Sequence, residues 1–433
     1  MDTLNERRWF ALIFSLYFLL AVGYSLLMPI WEAPDEPAHY HIVWYLARRD
    51  RFPTLQHNYE MNQPKLFYYL GSWVVRGLDK IDTHLSDYFL PHEYKENIRI
   101  PVRRFDWTSD NYRFLLGVYA LRWMNILFGA GALLLTWKAF QLIAPEKHAL
   151  RITAFALAAL TPQYLHIMSS VSNDALGTLA GALLFYLAIG VITTRSNLLA
   201  FILIPLAIIL PLTTKLTVLP VSAALLVIIG WNWFFRLPQK RWLIYSGLAA
   251  LFGVGLLYFI FPEIIQTALS EVTWRLFSFH DDVATSKYLK LIFGQIISTY
   301  WGRVGWIAVE LPVLLMTLLT SFGFIGMMMN VRNVIKTRSQ NLQFHAWIAT
   351  WLIALFTIAA VARNGLTTGA TQGRFLFPAI GALSLLMVSG WYEVLPQRSK
   401  NYLPMIVMVL MLFCNLVLWK FGVLPVYYQP FLD

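Results

Sequence analysis

The sequence is divided into long apolar runs, each close to the length a helix needs to cross a bilayer. They can be drawn over 9–29, 114–137, 150–169, 175–193, 198–212, 216–235, 242–262, 306–329, 344–362, 375–394 and 402–421. About 20 apolar residues at a helical rise match a hydrocarbon core about 30 Å thick. Such a core holds no water to satisfy backbone N–H and C=O groups, so spanning segments must be helices or strands of a closed barrel. Continuous apolar runs lack the in–out alternation of barrel strands. The expected fold class is all-α and polytopic, with about eleven transmembrane helices. Composition agrees, because only 13% of the residues are charged, against about 25% in soluble domains.

The net charge is +11, yet the basic residues are scattered between apolar runs, which argues against a nucleic-acid partner. Their positions follow membrane orientation instead. Arg7/Arg8, Lys138/Lys147/Arg151, Arg195, Arg236/Lys240/Arg241, Arg332/Lys336/Arg338 and Arg398/Lys400 fall on one side. The opposite short loops hold Lys215, Arg363 and Arg374. The positive-inside rule then puts the N-terminus in the cytoplasm and the C-terminus outside. The first run is too long for a signal-peptide core and has no small-x-small cleavage site, so it reads as an uncleaved anchor. Cys414 is the single cysteine, which excludes an intramolecular disulfide. The chain 1–433 reads as one transmembrane module with two long outer loops, 30–113 and 263–305. Both loops mix aromatics with Arg and Lys in short amphipathic stretches, the pattern of helices lying in the membrane interface.

The most unusual polar stretch follows the first run. Residues 31–45 read WEAPDEPAHYHIVWY and crowd Glu32, Asp35, Glu36, His39 and His41 together. Pro34 and Pro37 bracket Asp35 and Glu36. Proline fixes its own φ and drives the preceding residue out of the α region, so the acidic pair should sit on a constrained bend. Carboxylates at a bilayer edge must meet cations, water or a substrate, because burying them bare is costly. A solvated, helix-capping turn would explain the same residues.

Other charges fall inside helices or at their outer ends. Arg122, in ALRWMNILFGA, needs a counter-charge such as Asp35, Glu36 or Asp174, and an internal ion pair that fixes packing is the simpler role. Asp174, in SSVSNDALG, suits a helix N-terminus; it is equally placed to face the first carboxylates or to ligate a divalent cation with them. Lys215, in LPLTTKLTVLP, is either a snorkelling lysine or a cation of the same site. Arg303, in YWGRVGW, and Arg374, in TTGATQGRFLFP, begin helices from outside. Gly369, Ala370 and Gly373 leave amides open beside Arg374, which suits a phosphate seat as well as an anchor. Glu310, in WIAVELP, is a buried-acid candidate without an assigned partner. Apart from Glu310, these groups gather near the outer face, whereas a transport pathway would distribute them through the bilayer depth.

PDEPAHY after the first helix, QPKLFYYLG some 25 residues later, SNDA at an outer loop and TQGRFLFP near the end resemble the GT-C membrane glycosyltransferases. Within them the chain resembles the bacterial predicted membrane proteins related to protein O-mannosyltransferases and lipid A aminoarabinose transferases. The resemblance implies a bacterial inner-membrane enzyme with its active site outside. It would take a sugar from a polyprenyl-phosphate donor and pass it to a glycan, lipid or protein acceptor, with Mg or Mn as a conceivable cofactor. It also implies Asp35 as base with Glu36 beside it, and Asp174 as the acid of the second outer loop. Gln63, Lys65 and Tyr68 fall in the family's QPPLYY-like stretch, where Lys65 replaces the second proline. Gln372 and Arg374 fall in its QGR stretch. The expected donor-binding set is Gln63, Lys65, Tyr68, Arg122, Lys215, Arg303, Gln372 and Arg374. A lipid-substrate transporter or flippase, a glycan polymerase or ligase, and a non-enzymatic envelope scaffold are the competing classes.

Overall fold

In the computed structural model the described residues are 3–56, 58–79, 112–194, 197–236, 241–260, 262, 266, 286–336, 342–368 and 371–428. The calls on 80–111 and most of 263–285, parts of the two long outer loops, lie outside them, as do Gly369 and Ala370. Seven helices among these residues are long and apolar enough to cross a membrane: Asn5–Leu27, Leu115–Ile143, Asp174–Thr194, Val313–Arg332, Leu342–Leu366, Gly373–Val394 and Leu403–Tyr428. Shorter apolar helices at His148–Leu160, Phe201–Thr213, Leu216–Gly230 and Tyr245–Leu256 stand at the other four expected runs. The chain is a multi-pass, all-helical membrane protein.

The bundle is assembled around α5 (His148–Leu160), which has every residue after His148 buried. It is surrounded by α1 (Thr3–Leu27), α4 (Tyr112–Ile143), α14 (Ile380–Val394) and α16 (Leu403–Leu418). Helix α4 also runs along α7 (Asp174–Thr194) in the most extensive helix pairing of the molecule. At one end α1, α2 (Glu36–Arg49), a 3-10 turn (Tyr59–Asn62) and α3 (Leu66–Asp79) follow in sequence. Helices α2 and α3 pack on each other and on the start of α4 through a separate apolar cluster that includes Tyr40, Val43, Phe67, Leu115 and Leu121. This helix pair stands in the stretch where the first outer loop was expected to carry interfacial helices. At the opposite end, buried Arg151 donates to Glu6 at 2.8 Å, and Lys147 pairs with Glu393.

Three expected spans are corrected. The run 150–169 is not one helix: Pro162 lacks the N–H that a continuing helix would need, and the chain turns at Thr161 (φ −60°, ψ 122°) before α6 (Pro162–Met168). The run 306–329 begins as a helix only at α12 (Val313–Lys336). Before it, Arg303–Val304 and Val309–Glu310 form a two-stranded antiparallel hairpin. Glu310 is therefore not a buried acid within a helix but an exposed strand residue opposite Arg303. The run 375–394 opens with a 3-10 segment, Gly373–Ala379, and only then becomes α14. Each exception puts irregular backbone at the same end of the bundle as α2 and α3, where side chains can satisfy it.

Candidate functional site

The chain bends between α1 and α2 at Asp35, but Glu36, which Pro37 was expected to drive out of the α region, is the first residue of α2. Asp35 is in the left-handed region (φ 63°), which aspartate tolerates better than most residues, and it stands at the N-cap of α2 with Pro37 inside the first turn. Trp31 is also left-handed (φ 75°). The two carboxylates of the bend consequently point to different partners.

Glu36 is completely buried and meets Arg122, which is buried as well. The guanidinium forks onto the carboxylate, with Nε donating to Oε1 at 2.8 Å and Nη2 to Oε2 at 2.7 Å. Arg122 also donates to the carbonyls of Ser25, Met28 and Pro29. Glu36 accepts from the backbone N–H groups of Trp31 and Val171 at 3.1 and 2.9 Å. This lock ties the end of α1, the start of α2, α4 and the segment before α7 into one piece. An arginine fork that satisfies a carboxylate in this way suits burial better than a lone charge does.

Asp35 belongs to a second network. Its Oδ2 accepts from Arg374 Nη2 at 2.7 Å. Arg374 Nη1 lies 3.4 Å from Asp174 Oδ2, and Asp174 Oδ1 lies 2.8 Å from Lys215 Nζ. Lys215 also donates to Asn173 Oδ1 at 2.7 Å, and Asn173 Nδ2 donates to Gln63 Oε1 at 3.4 Å. The close approach depends on α7, where a Cβ on Gly177 would lie 2.9 Å from Lys215 Cβ and one on Gly181 would lie 2.4 Å from the Pro378 carbonyl oxygen. Small residues four apart on a membrane helix permit such contact. Arg374 is 4% exposed and Asp174 4%. Arg374 Nε and Nη1 lack hydrogen-bond partners among the described residues.

Burial by itself would raise the Asp35 carboxyl, but the charge and hydrogen bond of Arg374, with smaller contributions from neighbouring groups that include Lys215, outweigh it together and the net displacement is downward. His39, one turn into α2, is held neutral: burial foremost brings its imidazole down to about 3. Its Nδ1 is 3.0 Å from the Tyr68 hydroxyl. Tyr68 is thus brought against the first turns of α2.

Two other expected residues are engaged elsewhere, and a third, Gln372, stands at an N-cap position without a side-chain cap bond. Buried Lys65 donates to the Met61 carbonyl, with the Phe52 ring 5.3 Å away. Arg303 donates to the Ile307 carbonyl at 3.0 Å and pairs with Glu310 at 3.4 Å, within its own hairpin. The backbone of Gln372 is extended. Sequence reasoning missed Glu60, on the 3-10 turn between α2 and α3. Burial, then the Asp35 carboxylate, raises it to about 7, while Lys215 and Arg374 pull it the other way. The available signal was Asn58, which accepts from Glu60 N at 2.9 Å in the local turn that an Asx side chain forms.

The carboxylates of this network are directed at cations and a hydroxyl. Asp174 offers its oxygens to Lys215, Ser172 and Arg374, and Asp35 offers Oδ2 to Arg374. Among the described residues no group of three His, Cys, Asp or Glu side chains has the geometry to hold a metal ion.

No family model matches the sequence, and no curated protein does. Similarity is found among solved structures. ArnT from Cupriavidus metallidurans, crystallised with undecaprenyl phosphate, superposes with a TM-score of 0.54 at 12% identity, covering 97% of this chain and 74% of that one. Its apo form gives 0.53 with the same identity and coverage. An oligosaccharyltransferase from Archaeoglobus fulgidus aligns at 0.48 and 13% identity, over 96% of this chain and 56% of that one. The ArnT superposition covers nearly the whole chain and shows that it has the GT-C membrane fold.

Proposed function

We propose, taking the GT-C fold as premise, that this chain is a glycosyltransferase that uses a polyprenyl-phosphate-linked sugar. The sugar passes to a hydroxyl of an envelope glycan, lipid or protein on the outer face of a bacterial inner membrane. One observation carries the proposal: Asp35, Arg374, Asp174 and Lys215 form an ion-pair network, buried except at Asp35, where the bundle meets α2 and α3. The solved structure with this fold that holds undecaprenyl phosphate supports the donor class.

The chemistry follows from the charges. The donor's tail lies among the helices, and its phosphate reaches Arg374, whose Nε and Nη1 make no hydrogen bond among the described residues. Lys215 adds a second cation. As the bond between the anomeric carbon and the phosphate oxygen breaks, negative charge grows on the phosphate, and preorganised cations in a dry site stabilise it strongly. An incoming phosphate also competes with Asp35 for Arg374, so donor binding loosens the Asp35 carboxylate. Asp35 then accepts the proton of the attacking hydroxyl. Displacement in one step inverts the anomeric configuration. Glu36 and Arg122 serve as the scaffold that aims Asp35, rather than as base and donor ligand.

The test is release of lipid phosphate by the purified protein in nanodiscs, offered a panel of polyprenyl-phosphate sugars. Asp35→Asn should lower turnover by about 100-fold or more while the protein stays folded. Arg374→Ala should mainly raise the donor KM. Wild-type turnover with none of the donors, or an undiminished Asp35→Asn, would remove this function.

A further inference from the structure

The bend that presents Asp35 carries two strained residues in a short stretch. Trp31 (φ 75°) and Asp35 (φ 63°) are both left-handed. That region brings a Cβ against the following carbonyl oxygen, and a tryptophan has no short polar side chain to compensate for it locally. Such backbone persists only where its surroundings over-determine it. Pro29 and Pro34 bring no N–H, so the bend has fewer donors of its own with which to close. The Arg122–Glu36 lock secures the two ends: Arg122 donates to the Met28 and Pro29 carbonyls before the bend and grips Glu36 after it. Between those ends Trp31 is held from both sides. Its N–H donates to Glu36 Oε2 at 3.1 Å, and its carbonyl accepts from the Trp306 indole Nε1 at 2.8 Å. The second contact comes from the hairpin, 275 positions away.

The hairpin is braced along its length. Val304 and Val309 pair across it and are buried, as is Leu311 just after it. Arg303 N donates to Gln163 Oε1 of α6 at 2.8 Å, and Arg303 Nε donates to the Ile307 carbonyl at 3.0 Å. Trp306 stands at the tip between two further left-handed residues, Gly305 (φ 68°) and Ile307 (φ 62°). Gly305 has to be glycine, since a Cβ there would lie 2.3 Å from the Tyr427 hydroxyl. The segment Leu424–Tyr428 closes the same corner, with Tyr428 donating to the Leu27 carbonyl at 2.9 Å. A tip fixed at so many points can hold one indole N–H in one place.

We propose that Trp306 is a positioning residue of the transfer step: it pins the Trp31 carbonyl and, through the left-handed bend, aims the Asp35 carboxylate at the acceptor hydroxyl. The proposal rests on the glycosyl-transfer function above. Without the indole donor, Trp31 can relax out of its strained conformation, and the short chain between it and the Glu36 lock must turn with it. Asp35 lies on that chain. A reacting group misplaced by about 1 Å can cost about 100-fold in rate, so even a small rotation of the bend is felt at the base.

Two readouts test this on the full-length protein in nanodiscs. Trp306→Phe deletes the donor and keeps an aromatic ring at the tip. In the lipid-phosphate release assay its kcat should fall by about tenfold or more. Its donor KM should not rise, because Arg374 and Lys215 keep Asp174 as their partner. Trp391→Phe is the matched control: it deletes the same kind of donor, given to the Phe322 carbonyl at 2.8 Å near the far end of α14, and should leave kcat unchanged. Amide hydrogen exchange reads the bend without turnover. Peptides covering 30–36 should exchange faster in Trp306→Phe than in the wild type or Trp391→Phe, with α5 equally protected in all three. An undiminished kcat, a fall shared by Trp391→Phe, a higher donor KM at unchanged kcat, or unchanged exchange in the bend overturns the proposal. Absence of release with every donor defeats the function instead, and the exchange still decides whether Trp306 holds the bend.

Discussion

Two adjacent residues, Asp35 and Glu36, have opposite fates, and the difference lies in their donors. Glu36 receives two guanidinium N–H groups and two backbone N–H groups with no solvent exposure. Asp35 accepts from the Arg374 guanidinium at 2.7 Å and remains 21% exposed at its side chain. Breaking the buried lock should therefore be costly. Arg122→Met leaves Glu36 charged without its counter-charge and should remove about 3–5 kcal/mol, whereas Arg122→Met combined with Glu36→Gln should regain most of it. Thermal unfolding in detergent checks both; equal losses would mean that the pair is not the source. Asn58→Ala deprives the Ala38 carbonyl and the Glu60 N–H of a partner, for about 1–3 kcal/mol by the same measurement.

Among the elements, the 3-10 segment Gly373–Ala379 is the most demanding. A Cβ at Gly373 would lie 2.3 Å from both the Ile296 carbonyl oxygen and Tyr300 N, on α11 (Ser286–Trp301). Gly373 N is also tied to Thr299 Oγ1 at 2.5 Å. Gly373→Ala must displace the segment that carries Arg374, so it should reduce lipid-phosphate release by at least tenfold. Gly230, in α9 (Leu219–Arg236), is the control: a Cβ there meets nothing within 4 Å. Gly230→Ala should leave release unchanged and stabilise by up to about 1 kcal/mol, because alanine is the better helix former. Loss of release in both would point to general fragility. The breaks at Thr161–Pro162 and in the Arg303–Glu310 hairpin could not be read from hydropathy, since apolar runs pass straight through them.

For the whole molecule the open quantity is its direction in the membrane. With Cys414 replaced by Ala, Leu55→Cys next to the α2–α3 pair should react with a membrane-impermeant maleimide in intact cells. Arg398→Cys, after α14, should react only once the cells are permeabilised. Leu55 is 61% exposed and Arg398 is exposed as well, so both sites are reachable. The reverse pattern would invert the orientation and put the ion-pair network in the cytoplasm. The helical runs were legible, and Asp35, Asp174, Lys215 and Arg374, which the fold brings into one ion-pair network, stood out as charges in apolar sequence, because hydropathy and the rarity of charges are local properties.

The residue order alone determined a polytopic helical bundle, a constrained acidic bend after its first helix, and a set of charges too costly to leave unpaired in a membrane. Which charge meets which was decided by folding, since Glu36 and Arg122 stand 86 positions apart and Asp35 and Arg374 stand 339 apart. Pairing over such separations depends on helix packing, on the left-handed turn at Asp35 and on the close approach that Gly177 and Gly181 permit. Glu60 is the clearest case, because an acid in a short polar turn reads as solvated until its neighbours enclose it.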